Sequence, residues 1–220
     1  MSFSFMSTNK TIYIIRHGQT DFNKNGIIQG SGIDSELNET GLWQAAQFYL
    51  HYQHVQFDQI FTSQLHRTKQ SVAAFERNGI PTKALLALNE INWGIFEGKE
   101  STQERKQAYN QIVMDWRANK LDQPIEGGES PLDMFYRQQS GWEEITKHPG
   151  QNLLISMHGR ALRCFLSLIL NTPLKDMDDY GHTNLCLYKV EYRMDGTAFL
   201  LEANNTNHLS IGKPDGVKPS

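Results

Sequence analysis

The chain has 220 residues, 39% of them hydrophobic and 20% charged, which supplies the apolar material for a packed domain and excludes wholesale disorder. A formal charge of −3 argues against a surface built to grip nucleic-acid phosphates, and no apolar run approaches the ~20 residues needed to cross a bilayer. The start carries no basic leader or signal-length apolar core, and Cys164 and Cys186 have no metal-like spacing and read as reduced thiols, so a soluble cytoplasmic protein is expected.

Residues 1–10 read as a flexible segment of polar residues with isolated Phe. Thr11–Ile15 predicts a first strand, which runs directly into Arg16, His17 and Gly18. Asn38 can cap a helix bearing Leu42, Ala45, Ala46 and Tyr49 at helical spacing. Phe57–Ser63 predicts a second strand, followed by a helix from Leu65 to Arg77, and Thr82–Leu88 a short third strand. Gln103–Ala118 reads as a polar helix, within a stretch from Glu97 to Gln123 expected to cap a site. Ser130 is a good helix N-cap, with Pro131 at the first helical position and Asp133 three residues after the cap.

Leu153–Met157 (LLISM) is the best buried-strand candidate, and Leu162, Phe165, Leu166 and Ile169 form an apolar helical stripe behind it. Thr183–Glu191 and Thr197–Glu202 predict closing strands, and residues 210–220, rich in Gly and Pro, a flexible tail. The alternation predicts an α/β fold, a three-layer sandwich with a mostly parallel central sheet flanked by helices.

Such sheets bind ligands beyond the carboxyl ends of their strands. Arg16 and His17 follow the first strand, Ser63 and Arg67 the second, and His158 and Gly159 the LLISM strand, with Glu90 just after the third. Parallel strands would deliver all of these to one rim. Metal binding fits poorly, because two arginines would put fixed positive charge beside a cation and no clustered carboxylates complete a ligand set. An anion site fits better. Guanidinium groups fork onto phosphate oxygens, Gly18 and Gly159 would let backbone N–H groups come close, and a histidine can be a nucleophile.

Five stretches appear in an order that resembles the histidine phosphatase superfamily: RHGQTDFN (Arg16–Asn23), TSQLHRTKQS (Thr62–Ser71), LNEINWGIFEG (Leu88–Gly98), GGES (Gly127–Ser130) and SMHGR (Ser156–Arg160). NNTNHL (Asn204–Leu209) is similar to that branch's closing motif, so the resemblance spans residues 11–209. The branch includes cofactor-dependent phosphoglycerate mutase and small phosphatases similar to it. The resemblance implies His17 as the nucleophile, with Arg16, Arg67 and His158 holding the phosphoryl oxygens. It also implies Asn23, Thr20 and the Gly159 backbone as further donors, and Glu90 as the acid that protonates the departing oxygen. No metal and no cofactor are needed on this reading.

Other residues carry two readings. Ser130 is accounted for by helix capping, and Glu129 either touches substrate or supports its loop. Thr206 and His208 could line the rim. Trp93 and Phe96 line a pocket or pack the loop, and His51 and His54 read as a solvated face. Mutases of this branch carry an extended insertion after the acid, whose basic and tyrosine residues grip a second acidic group. Here Glu90 is followed by the compact INWGIFEGKES, with Lys99 its sole basic residue. The expected activity is therefore hydrolysis of a small phosphorylated metabolite, with mutase activity as the alternative. A catalytically dead phospho-ligand module is a further alternative, against which the presence of both His17 and Glu90 speaks.

Overall fold

In the computed structural model, which describes residues 9–210, the first strand β1 runs from Lys10 to Arg16. It therefore begins one residue before the expected boundary. Lys10 is buried because its Nζ donates to the carbonyls of His148 and Gly150, at 2.5 and 2.8 Å. Residues 1–8 of the expected N-terminal segment, and all of the expected tail except Ser210, lie outside the described residues, while Asn9 is exposed and donates from Nδ2 to Glu191 Oε1 at 3.0 Å.

Ile12–Ile15 are all buried, and the strand geometry explains how four consecutive apolar residues can be. Ile12 and Ile14 face one side of the sheet and Tyr13 and Ile15 the other, each side covered by its own core. Phe48 and Tyr52 of α2 (Glu39–Tyr52) pack on the second side with Val72 and Phe75 of α3 (His66–Arg77), so α1 is left as a short turn at Asp21–Lys24. On the first side lie Met134 and Ile145 of α5 (Pro131–Lys147) and Leu162 and Phe165 of α6 (Gly159–Ile169). Each such side chain contributes about 1.5–3 kcal/mol by leaving water. Between the helical layers the sheet order is β3-β2-β4-β1-β5-β6, with β2 at Gln59–Thr62, β3 at Thr82–Ala84, β4 at Asn152–Met157, β5 at Leu187–Tyr192 and β6 at Ala198–Asn205. The first four strands are parallel, and β5 and β6 run antiparallel as a closing hairpin. This is the three-layer α/β sandwich that the alternation predicts.

Several elements differ from expectation. The third strand stops at Ala84, and Leu86–Leu88 form a single tight turn that buries Leu88. β5 starts at Leu187 rather than Thr183, because Leu185 adopts φ 52 and donates its N–H to the carbonyls of Arg16 and His17. On α2 the inward residues are Ala45, Phe48 and Tyr52, while Leu42 is half exposed. The caps follow expectation: Asn38 accepts from the Gly41 N–H, and Ser130 and Asp133 form a reciprocal capping box. The polar helix α4 (Gln103–Arg117) buries Trp116 and stacks Tyr109 on Trp93, which holds it over the carboxyl ends of the strands. Among the described residues no helix is long and apolar enough to cross a membrane.

Candidate active site

His17 is delivered by the end of β1 and is 2% exposed. Its Nδ1 lies 2.7 Å from the carbonyl oxygen of Gly18. A carbonyl can only accept, so the proton sits on Nδ1 and Nε2 is left bare. Burial holds the imidazole pKa well below its ordinary value, and Arg67 and Arg16 push it the same way, so the ring is neutral. Gly18 is glycine for a different reason than close approach to a ligand. A Cβ there would come within 2.7 Å of the Gly41 carbonyl oxygen, so the residue lets α2 pack against the loop.

Asn184 ties this loop together. Its Nδ2 donates to the His17 carbonyl and to Asn23 Oδ1, each at 3.1 Å. Asn23 Oδ1 also accepts the Thr20 N–H, so the Asn23 amide nitrogen is the end left for the cavity it lines. Thr20 is fully buried. Its hydroxyl caps α1 and accepts from Gln29 Nε2 at 2.7 Å, so it holds Asn23 rather than facing the cavity.

Arg67, on the first turn of α3, is wholly buried. Nε donates to His158 Nδ1 at 3.1 Å, Nη1 to the Ile33 carbonyl at 2.7 Å and Nη2 to the Gly30 carbonyl at 3.1 Å. Five guanidinium hydrogens minus these leave two without a protein acceptor among the described residues. Burial lowers its pKa to about 10, which still leaves it charged at neutral pH. Because Arg67 can only donate, His158 accepts at Nδ1 and carries its proton on Nε2, 2.8 Å from Ser63 Oγ. Both ring nitrogens of His158 thus have protein partners. Arg16 donates from Nη1 to the His182 carbonyl at 2.6 Å, while its buried Nε has no partner among the described residues.

Glu90 crosses from the loop after β3 to the start of α6. Oε1 accepts from the N–H groups of Ile91 and Ala161 at 2.9 and 2.8 Å, and Oε2 from that of Arg160 at 3.1 Å. The carboxylate therefore caps a helix whose own cap residue, His158, offers no side-chain bond. Arg137 clamps the loop by donating to the carbonyls of Ala87, Asn89 and Glu90 while pairing with Glu129. Glu129 is consequently a strut of the Glu90 loop and not a cavity wall.

Arg16, His17, Asn23, Glu90, Gly159 and His182 are among the walls of a cavity of about 130 Å³, while Arg67 and His158 are wholly buried behind those walls and do not line it. A Cβ at Gly159 would lie 3.1 Å from the His182 ring, so glycine keeps this wall open. Burial, with Arg16 nearby, takes the His182 pKa down to about 3, so this ring is neutral too. Trp93 takes both of its readings, lining the cavity and stacking on Tyr109. His208 is buried against Phe48 and Tyr52 on the second core, away from the cavity, and His51 and His54 are exposed. Thr206 is not among the cavity walls. Among the described residues no three His, Cys, Asp or Glu converge as metal ligands. Sequence reasoning missed Asn184, His182 and Gln29. Arg160 was visible inside the SMHGR stretch, but nothing there gave it a task.

A bare imidazole nitrogen beside two guanidinium groups, at the carboxyl edge of a parallel sheet, defines a site suited to a tetrahedral oxyanion. The chain belongs to the histidine phosphatase superfamily (branch 1), whose family model matches residues 12–206, and it is an enzyme of that superfamily. It is 29% identical over 217 residues to the broad-specificity phosphatase YOR283W of Saccharomyces cerevisiae, covering 92% of this chain and 88% of that one. It is 28% identical over 216 residues to a Yersinia pestis protein named "Probable phosphoglycerate mutase GpmB", covering 94% and 98%. Among solved structures it is similar to Bacillus stearothermophilus YhfR, with a TM-score of 0.78, 28% identity and coverage of 91% and 99%.

Proposed function

We propose that the protein is a metal-independent phosphomonoesterase that hydrolyses a small phosphorylated metabolite through phosphohistidine at His17. The observation that carries this reading is the fixed tautomer of His17, with Nδ1–H spent on the Gly18 carbonyl and Nε2 unprotonated. Nε2 attacks phosphorus, the P–O ester bond breaks, and Glu90 gives its proton to the departing oxygen. Oε1 already accepts two backbone hydrogens, so Oε2 carries that proton. In the second step Glu90 takes a proton from water, the water oxygen bonds phosphorus, and the P–N bond breaks to release inorganic phosphate and restore His17.

Arg16 and Arg67 supply the positive charge that phosphoryl transfer otherwise takes from a metal ion, with Asn23 and the Gly159 backbone as further donors. Thr20 acts by fixing Asn23. His158 aligns Arg67, and it reaches a phosphate oxygen by exchanging its contact with Ser63. The reading includes one catalytic domain over residues 11–209. It also includes a cytoplasmic location, in keeping with two buried free cysteines.

Mutase activity is the second reading, favoured by the GpmB relatives. An assay of phosphate movement between the 3- and 2-positions of phosphoglycerate, primed with the bisphosphate, separates it from hydrolysis. The main test is acid-labile, base-stable phosphate on His17 in enzyme quenched during turnover of p-nitrophenyl phosphate, absent in His17→Ala. Label on Ser63 or Thr20 would remove the proposed nucleophile. Activity lost to EDTA and restored by zinc or magnesium would overturn the metal-independent reading.

A further inference from the structure

Arg160, the second residue of α6, serves different neighbours with its main chain and its side chain. Its N–H donates to Glu90 Oε2 at 3.1 Å, the one hydrogen bond made to that oxygen among the described residues. Oε2 is the oxygen that carries the proton in the proposed mechanism. The direction of this N–H therefore sets where the acid points and how readily it gives up its proton.

The side chain is 4% exposed, and a guanidinium buried so deeply needs partners on every side. Nη1 pairs with Asp178 Oδ1 at 2.5 Å, and Nη2 donates to the Tyr109 hydroxyl at 3.1 Å. The guanidinium carbon lies 5.6 and 5.5 Å from the centres of the Trp93 and Trp116 rings, within reach of cation–π attraction. Trp93 stands on the acid's own loop, while Tyr109 and Trp116 belong to α4. Trp116 is the one fully buried residue of that helix, so Arg160 meets α4 at its best-packed point. Asp178 is itself fixed by Arg163 Nη1 at 2.6 Å and approached by Arg117 Nε at 3.8 Å. A single guanidinium thus ties the acid's loop, the helix over the site and the turn Leu174–Asp179 to the start of α6.

We propose that Arg160 is a positioning residue for the acid: its side chain, locked to Asp178 and α4, fixes the main-chain N–H that aims Glu90. This rests on the phosphatase reading above and adds a residue that acts through the acid without touching the reacting atoms.

The test uses two aryl phosphates of nearly equal shape. Phenyl phosphate releases the more basic oxygen and so depends on the acid more than p-nitrophenyl phosphate does. Arg160→Met keeps bulk and removes the anchor. Asp178→Asn loosens the anchor from its far side, away from Glu90 and from the cavity walls. Each should lose kcat/KM on phenyl phosphate about tenfold more than on p-nitrophenyl phosphate, a part of the ~10²–10⁴-fold that a general acid supplies. The extra loss should vanish when either is combined with Glu90→Gln, because no acid is then left to misplace. Arg160→Lys, which restores the charge beside Asp178 but not the fork, should recover part of the ratio. Arg163→Met removes the other close partner of Asp178, which makes no hydrogen bond to α4 or to the Glu90 loop among the described residues, and should keep the wild-type ratio. Because the ratio is taken within one preparation, partial loss of folded enzyme does not alter it. Equal losses on both substrates in Arg160→Met or Asp178→Asn, an extra loss that survives Glu90→Gln, or an equal shift in Arg163→Met overturns the proposal. Failure of the acid reading looks different: Glu90→Gln would itself lose equally on both substrates.

Discussion

In the proposed mechanism the Glu90 carboxylate that caps α6 also moves a proton, and a single substitution separates the two. Glu90→Gln keeps an oxygen for the Ile91 and Ala161 N–H groups but turns an NH2 toward the Arg160 N–H. Losing that acceptor should cost about 1 kcal/mol of stability, read from denaturant midpoints. Losing the proton should slow phosphorylation of His17 by an alkyl phosphate ~10²–10⁴-fold, and by p-nitrophenyl phosphate far less, because that leaving group needs little protonation. Equal losses in kcat/KM on both would mean that Glu90 is not the acid.

Arg67→Ala should lower kcat as well as raise KM, since its grip tightens as charge develops in the transition state. A change in KM alone would reduce Arg67 to docking. The gathering of Arg16, His17, Arg67, Glu90 and His158 near one edge of the sheet was legible, because each comes soon after a strand within a short contiguous stretch. Asn184 and His182 were not. They enter through a loop set by the positive φ of Leu185 and its bonds to the carbonyls of Arg16 and His17, which leave no local pattern.

Among the elements, sequence pattern located every helix of ten residues or more but misjudged where strands end. Thr82–Leu88 is a short run that ends in five consecutive apolar residues, as a buried strand can be, yet β2 offers β3 only three residues of register, and the chain then turns to bury Leu88. The apolar spacing on α2 was misread because Gly41 and Gln44, not Leu42, occupy the side that meets the His17 loop. Gly41 matters here: a Cβ would fall 2.1 Å from the Gln19 carbonyl oxygen. Gly41→Ala should push α2 off the loop and cost about 1–3 kcal/mol, with kcat/KM falling alongside as His17 shifts. A variant with wild-type stability and activity would show that this contact yields freely.

For the whole molecule, burial on both faces of the sheet was legible in the unbroken apolar runs of β1 and β4, and layer order followed from it. The same burial makes the fold sensitive to acid. His17 and His158 are held well below their ordinary pKa of 6.5, by burial first and by Arg67 next. The unfolded chain therefore binds these protons first. The stability they contribute is present above pH 6.5 and is lost as pH falls toward their folded values. Unfolding free energy should drop by about 2.7 kcal/mol per pH unit below 6 from these two groups. Urea titrations at pH 7, 6 and 5 measure this, and a flat profile would mean that both rings ionise freely in place.

β1 lies between β4 and β5, and neither neighbour exists until the ribosome has passed residue 152. At ordinary translation rates the strand that bears His17 waits on the order of ten seconds without a partner. Through that interval Ile12–Ile15 are an exposed sticky segment, a natural client for a chaperone that binds short apolar stretches. The wait also has a protective side. Arg16 and His17 cannot meet His158 and the α6 N-terminus until the ribosome has passed residue 160, so the site is assembled only after α4, which covers it, has been made.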